Sequence, residues 1–140
     1  MNSILSRPAG FRERPHTADW ALEVWAPDVS TLLAQAALGM FSLMGIQTRS
    51  AARIPQEFDL AFADLENLLV GFLAELLYLS NRDGISFDQF DLRLADDRLH
   101  AAVSGQPIEH LAKEIKAVTY HNLRVLETGR GLEVTIVFDV

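Results

Sequence analysis

The strongest constraint in this sequence of 140 residues is a run of apolar side chains at helical spacing. The run covers residues 65–77, where leucine and phenylalanine recur at positions i, i+3, i+4 and i+7. Asp64 precedes it, and a carboxylate at this point can accept hydrogen bonds from the free amides of a first helical turn. The pattern therefore predicts an amphipathic helix that begins after Asp64 and ends near Ser80, followed by a turn at residues 81–84.

A second helix is predicted from Asp28, its N-cap, to about Met44, with Gly45 suited to its end. Residues 29–46 carry no charge, and an uncharged segment of this length is close to the minimum that spans a membrane. Four polar residues interrupt it, so we interpret it as a buried helix and expect no membrane span. The side chains expected to be largely buried are Leu33, Ala37, Met40, Phe41 and Met44.

Alternating apolar residues predict strands before each helix and several more after the second one. The predicted strands are 21–25, 53–62, 85–94, 98–103 and 132–140, with extended segments at 114–120 and 123–126 and an irregular polar stretch over 105–113. This order predicts an α+β fold, a two-layer sandwich in which two long helices pack on one face of a mixed β-sheet. We expect residues 1–14 to be a poorly ordered lead-in and residues 15–140 to form a single domain.

The net charge of the sequence bears on whether the protein binds nucleic acid directly. Nineteen acidic and twelve basic residues give a formal net charge of −7, and the basic residues are scattered along the sequence. Strong direct binding to nucleic acid is therefore disfavoured unless folding creates a local basic patch. The absence of cysteine excludes disulfides, thiolate catalysis and cysteine-ligated zinc. No signal peptide is expected at the N-terminus, which together with the lack of cysteine favours the cytoplasm.

A polar cluster, HTAD, occupies residues 16–19 just before the first predicted strand. It offers the imidazole of His16, the hydroxyl of Thr17 and the carboxylate of Asp19 within four residues. One interpretation is a chemical site. The other is that Asp19 or Thr17 caps a turn while His16 is solvated, since polar loop residues usually satisfy the local backbone.

The final residues form a second candidate site. Asp139 and the terminal carboxylate of Val140 are anionic oxygen donors on adjacent residues. If Asp19 joined them, three carboxylates would converge, and such a cluster must take up a proton or bind a cation. Oxygen ligands favour Ca²⁺, Mg²⁺ or Mn²⁺ over Zn²⁺. The alternative is that Asp139 only solubilises the end of a strand.

A third feature is the segment EIKAVTYH at residues 114–121. In an extended segment Glu114 and Lys116 lie on one face, while Ile115 and Val118 are available to the core. The pair could be a surface ion pair worth at most about 1 kcal/mol. Alternatively, Lys116 could be a point charge for phosphate or for an acidic group of a partner.

These segments together resemble the archease family, the small cofactor proteins of RNA-splicing ligases. The resemblance covers the chain from His16 onward, and EIKAVTYH and the terminal FDV are its specific motifs. Pro15 stands where family members usually carry Asp. The matching segments are HTADW at 16–20, AALGMF at 36–41, DLENLLVGFLAELLY at 64–78, EIKAVTYHNLRV at 114–125 and VFDV at 137–140.

The resemblance implies a protein that is not itself an enzyme. It implies activation of a GTP-dependent RNA ligase, by promoting guanylylation of the ligase and its repeated turnover. It also implies a divalent metal site formed by Asp19, Asp139 and Val140. His16, Glu114, Lys116 and His121 are further candidates, which would contact the partner or support the metal ligands.

A hypothesis from a different class is a small metal-dependent hydrolase that uses the Asp19 and Asp139 carboxylates. Such an enzyme needs a general base near the metal and a concave pocket. His16 and His121 are the plausible bases.

Overall fold

The computed structural model describes residues 8–15 and 20–140. Its helices are α1 (Val29–Leu43) and α2 (Leu65–Asp83). Both predicted N-caps are confirmed: the Asp28 carboxylate accepts from the Thr31 amide at 2.8 Å, and the Asp64 carboxylate accepts from the Asn67 amide at 2.7 Å.

Helix α2 is longer than predicted. The predicted turn at residues 81–84 is wrong for its first three residues, which continue the helix to Asp83. Gly84 ends the helix with a φ of 68°, a left-handed conformation that glycine adopts without a steric penalty. The apolar repeat could not predict this end, because the last turn of the helix is polar.

Among the described residues, two strands precede α1, two lie between the helices and five follow α2. They are β1 (Gly10–Pro15), β2 (Trp20–Ala26), β3 (Gln47–Thr48), β4 (Ile54–Ala61), β5 (Ile85–Ala95), β6 (Arg98–His110), β7 (Ala117–Val118), β8 (Leu126–Thr128) and β9 (Gly131–Asp139).

The α+β class is confirmed, and the strands divide into two sheets. In the first sheet the order is β1, β2, β9 and β7, with β8 also paired to β9. In the second sheet β6 pairs with β3, β4 and β5. Among the described residues every ladder is antiparallel, so the expectation of one mixed sheet is corrected. Short connections such as Asp96-Asp97 between β5 and β6 permit only antiparallel pairing.

Three segments differ from their predicted structure. Residues 10–14 were expected to be a poorly ordered lead-in but belong to β1, which pairs with β2 from Gly10 opposite Trp25 to Pro15 opposite Trp20. The stretch 105–110 was expected to be irregular but continues β6. The segments 114–120 and 123–126 contain only the short β7 and the first residue of β8.

The core lies between the two helices and the inner faces of both sheets. Its largest fully buried side chains include Leu22 and Phe138 from the first sheet, Phe87 from the second sheet and Phe72 from α2. Close packing of α1 on the first sheet depends on Gly39, because a Cβ at this position would lie 2.5 Å from a Leu22 methyl carbon. Within the described part of the chain, neither helix is both long and apolar enough to cross a membrane.

The prediction for the buried face of α1 is confirmed. Its five residues are at most 5% exposed: Leu33, Ala37, Met40, Phe41 and Met44.

Replacing Leu33 with Asp is expected to lower the free energy of unfolding by several kcal/mol, because the charge would lie unpaired in an apolar site. Thermal unfolding followed by circular dichroism measures the effect. The control is Leu33→Met, which preserves volume and is expected to cost less than about 1.5 kcal/mol. An equal melting temperature for Leu33→Asp and Leu33→Met would contradict the burial.

Candidate functional site at the end of strand β9

The end of β9 presents two of the predicted metal ligands. Phe138 is fully buried, whereas Asp139 is exposed and Val140 packs partly buried against the core. The Asp139 carbonyl oxygen accepts a hydrogen bond from the Lys116 amide at 2.7 Å. The backbone of Asp139 is therefore held, while its carboxylate faces solvent.

The neighbouring strand leads toward the third predicted ligand. Trp20, the first residue of β2, lies opposite Phe138 of β9. Asp19 and His16 lie outside the described residues, so the structure does not test the prediction that Asp19 and Asp139 meet. Within residues 8–15 and 20–140, no three histidine, aspartate or glutamate side chains form a group that could hold a metal ion.

The segment 114–121 runs beside this end of β9. Ala117 pairs with Asp139 and Val118 pairs with Phe138. As predicted, Ile115 is buried and Val118 packs against the core, while Glu114 and Lys116 are exposed. The ion pair considered for Glu114 and Lys116 is not among those of the described residues.

Thr119 fixes the turn that follows β7. Its amide and its hydroxyl both donate to the Val137 carbonyl oxygen, at 3.1 Å and 2.9 Å. The same hydroxyl accepts from the His121 amide at 3.2 Å. The turn holds Asn122 at a φ of 50°, a left-handed conformation that asparagine tolerates better than most residues. The exposed side chain of His121 thus lies on a turn that is hydrogen-bonded to β9.

The structure also brings residues to this region that the sequence did not single out. The Lys113 ammonium lies 3.7 Å from the centroid of the Trp20 ring, a cation–π contact at the start of β2. From the start of α2, the side-chain amide of Asn67 donates to the Tyr120 hydroxyl at 3.0 Å. The signal available in the sequence was the position of Trp20 inside HTADW and of Tyr120 inside EIKAVTYH.

A separate cavity of about 610 Å³ opens on the outer face of the second sheet. Its lining includes Glu57 of β4, Asp91 of β5 and Ala102 of β6. None of the predicted site residues in the described part of the chain lines this cavity, so it does not provide the pocket that a hydrolase at Asp139 would need.

Comparison with known proteins agrees with the fold and the motifs. The family model of the Archease protein family matches residues 11–140. The Protein archease of Methanosarcina mazei is 33% identical over 134 residues, which cover 89% of this chain and 92% of that protein. The homologous protein of Methanosarcina acetivorans is 34% identical with the same coverage.

The chain belongs to the archease family. Solved structures agree with this assignment. The solution structure of protein 1598 from Methanobacterium thermoautotrophicum matches with a TM-score of 0.71 and 25% identity, over 94% of this chain and 99% of that one. The crystal structure of a Thermotoga maritima archease, described as a possible chaperone, shares the fold with a TM-score of 0.67 and 24% identity, over 91% and 96% of the two chains.

Removing the Thr119 hydroxyl is expected to destabilise this archease-family fold by about 1 kcal/mol, because two hydrogen bonds are lost. Thr119→Val tests this in urea unfolding, and Thr119→Ser, which retains the hydroxyl, is the control. The amide of His121 is expected to exchange with solvent faster in Thr119→Val than in Thr119→Ser. Equal exchange rates in the two variants would show that the hydroxyl does not hold the turn.

The pKa of His100 is expected to lie above its ordinary value. The hydrogen bond between its Nδ1 atom and the Asp59 carboxylate, at 2.7 Å, raises the pKa, and the Glu57 carboxylate at 3.3 Å from Nε2 adds to this. The whole stabilising contribution of this contact is present at pH values below about 6.5, the pKa of His100 in the unfolded state. The contribution is lost as the pH rises through the higher pKa of the folded state.

Titration of the His100 ring by NMR measures this pKa. Asp59→Asn is expected to lower it, whereas Asp96→Asn, in the turn between β5 and β6, serves as a control of equal charge change. A His100 pKa that is unchanged by Asp59→Asn would contradict the assigned cause.

Proposed function

We propose that this chain is a metal-binding activator of a GTP-dependent RNA ligase of the cytoplasm, and that it is not itself an enzyme. In this role it promotes guanylylation of the ligase and allows repeated turnover. The observation that carries the proposal is the pairing of Trp20 with Phe138.

This pairing supports a shared metal site because each of the two paired residues is the chain neighbour of a candidate ligand. Asp19 is bonded to Trp20 and Asp139 is bonded to Phe138. Residues opposite each other in an antiparallel pair have Cα atoms about 4.5–5.5 Å apart. Continuation of the ladder by one residue would set Asp19 opposite Asp139. We infer that these two carboxylates and an oxygen of Val140 bind one cation.

The chemistry of these donors suits a hard divalent cation. All are oxygen atoms, which Mg²⁺, Ca²⁺ and Mn²⁺ prefer, and the Asp139 side chain is exposed rather than committed to an ion pair of the described residues. A bound divalent cation would offset the charge of the carboxylates and of an approaching phosphate. In this proposal the ligands are held in position by the β2–β9 ladder and by the hydrogen bond from the Lys116 amide to the Asp139 carbonyl oxygen.

The charge of the chain supports a protein partner. At a net charge of −7 the chain is attracted to a basic, RNA-binding enzyme, and charge complementarity increases the rate of such encounters. The exposed side chains beside the end of β9 form the proposed contact region: Glu114, Lys116, Tyr120 and His121. His16 is proposed to lie in the same region. The description of the Thermotoga maritima archease as a possible chaperone agrees with a role exerted on another protein.

Two mechanisms of activation are possible, and only the first requires the bound metal ion. In the first, the cation held by the carboxylates is delivered to the ligase active site or repositioned there. In the second, binding of the chain selects a ligase conformation that is competent for guanylylation. We favour the first, because the exposed carboxylate of Asp139 lies within the proposed contact region.

Asp139→Asn is expected to reduce divalent-ion affinity and ligase guanylylation together, since an amide is a poorer ligand than a carboxylate for a hard cation. The stability of the metal-free protein should hold or rise slightly, because repulsion between converging carboxylates is relieved. Guanylylation is measured with purified ligase, GTP and a divalent ion, and metal affinity is measured by calorimetry.

The matched control is Asp91→Asn, an equally conservative change at an exposed position on the second sheet. It should leave both measurements unchanged. Full activation by Asp139→Asn would eliminate the metal site as the active element and leave docking alone as the mechanism.

A further inference from the structure

The outer face of the first sheet gathers arginines that are far apart in the sequence. Arg12 and Arg14 of β1 donate to the Glu23 carboxylate of β2 at 2.9 Å and 3.2 Å. Arg130, in the turn between β8 and β9, donates to the same carboxylate at 3.1 Å. Arg124 lies nearby, in the lining of a cavity of about 310 Å³ that Glu23 also lines. We call these four arginines the arginine face.

The arginine face is a local basic patch formed by residues that are scattered along the sequence. Positions 12 and 130 are more than one hundred residues apart, and only the β1–β2–β9 pairing brings them together. Folding therefore creates a local basic patch on a chain whose net charge is −7, and nucleic-acid binding requires such a patch.

The arginine face carries a surplus of positive charge. Among the described residues, its four guanidinium groups are accompanied by two carboxylates, Glu23 and Glu133, so positive charges exceed negative ones by two. The Glu23 side chain is only 17% exposed, whereas Arg12 and Arg14 are 57% and 56% exposed. Each guanidinium has five N–H donors and a carboxylate has two oxygens, so many donors stay available to a ligand.

Glu23 and Trp25 hold Arg12, Arg14 and Arg130 in place. Burial raises the pKa of Glu23, but hydrogen bonds from Arg12 and Arg130 outweigh this and bring the pKa below its ordinary value. The carboxylate is thus ionised at neutral pH. The guanidinium carbons of Arg130 and Arg12 also lie 4.4 Å and 5.9 Å from the centroid of the Trp25 ring. Side chains that are ordered beforehand lose less entropy when a ligand binds.

The donor type suits a phosphodiester backbone. All four cations are arginine, whose planar fork matches the geometry of phosphate oxygens. The Cα atoms of Arg12 and Arg14 lie about 7 Å apart along β1, and both guanidinium groups converge on the Glu23 carboxylate. The arginine face therefore offers a compact group of donors to phosphate oxygens.

We propose that the arginine face binds the phosphodiester backbone of single-stranded RNA. The choice of RNA over an acidic protein rests on the proposed function, in which the protein partner is basic and would be repelled by this face. In a complex with that partner, the carboxylates at the end of β9 face the ligase and the arginine face holds the RNA that the ligase joins.

The proposal is tested by the fluorescence anisotropy of a labelled oligouridine with the full chain, over a range of salt concentrations. The wild-type chain is expected to bind, and the double variant Arg12→Gln, Arg14→Gln to bind roughly tenfold more weakly at low salt. The slope of log affinity against log salt should become shallower by about 1.4, since each phosphate contact on a single strand contributes about 0.7.

The matched control is Arg93→Gln, Arg98→Gln, which removes the same charge from exposed positions on the second sheet. It should retain wild-type affinity and slope. The proposal is overturned if the wild-type chain does not bind oligouridine, if both double variants lose affinity equally, or if oligoglutamate binds as tightly as oligouridine. Guanylylation by the wild-type chain, assayed without RNA, tests the proposed function separately, so the two failures are distinguishable.

Discussion

The pairing of β2 with β9 is the interaction on which the rest of the structure depends. It joins residues 20–26 to residues 132–138 in one antiparallel ladder and so brings the two ends of the sequence together. Its inward side chains, among them Leu22, Val24, Ile136 and Phe138, are almost completely buried beneath the helices. A slip of this ladder by one residue would turn those side chains outward, so the hydrophobic core fixes its register.

The same ladder organises both proposed functional surfaces. At one end of the ladder Trp20 and Phe138 are opposite each other, next to the acidic residues that are the candidate metal ligands. On its outer face the ladder, together with β1, gathers Arg12, Arg14 and Arg130 around Glu23. The chain thus separates an acidic region, suited to a cation and a basic protein, from a local cationic face. The cationic face could not be inferred from the acidic net charge of the sequence.

Features that depend on local sequence could be predicted, and features that depend on distant pairing could not. The starts of α1 and α2 followed from Asp28, Asp64 and the apolar repeats, because capping and amphipathicity act within a few residues. Strand β1 was missed because half of its short sequence, GFRERP, is charged and it has little apolar alternation.

The division into two sheets and the arginine face were missed for a different reason, because both arise from pairing between distant segments. The exposure of Asp139 at the end of β9 agrees with its candidate role, and its proposed partnership with Asp19 stays a prediction.

The central claim is that Asp19 and Asp139 bind one metal ion together, and a double-mutant cycle for metal affinity tests it most directly. Calorimetric titration with Mn²⁺ would compare the wild-type chain with Asp19→Ala, Asp139→Ala and the double variant. If the two residues share one ion, each single change removes most of the binding and the double change removes little more, so the effects are strongly non-additive. Additive effects, or Mn²⁺ binding that survives the double change, would contradict the shared site.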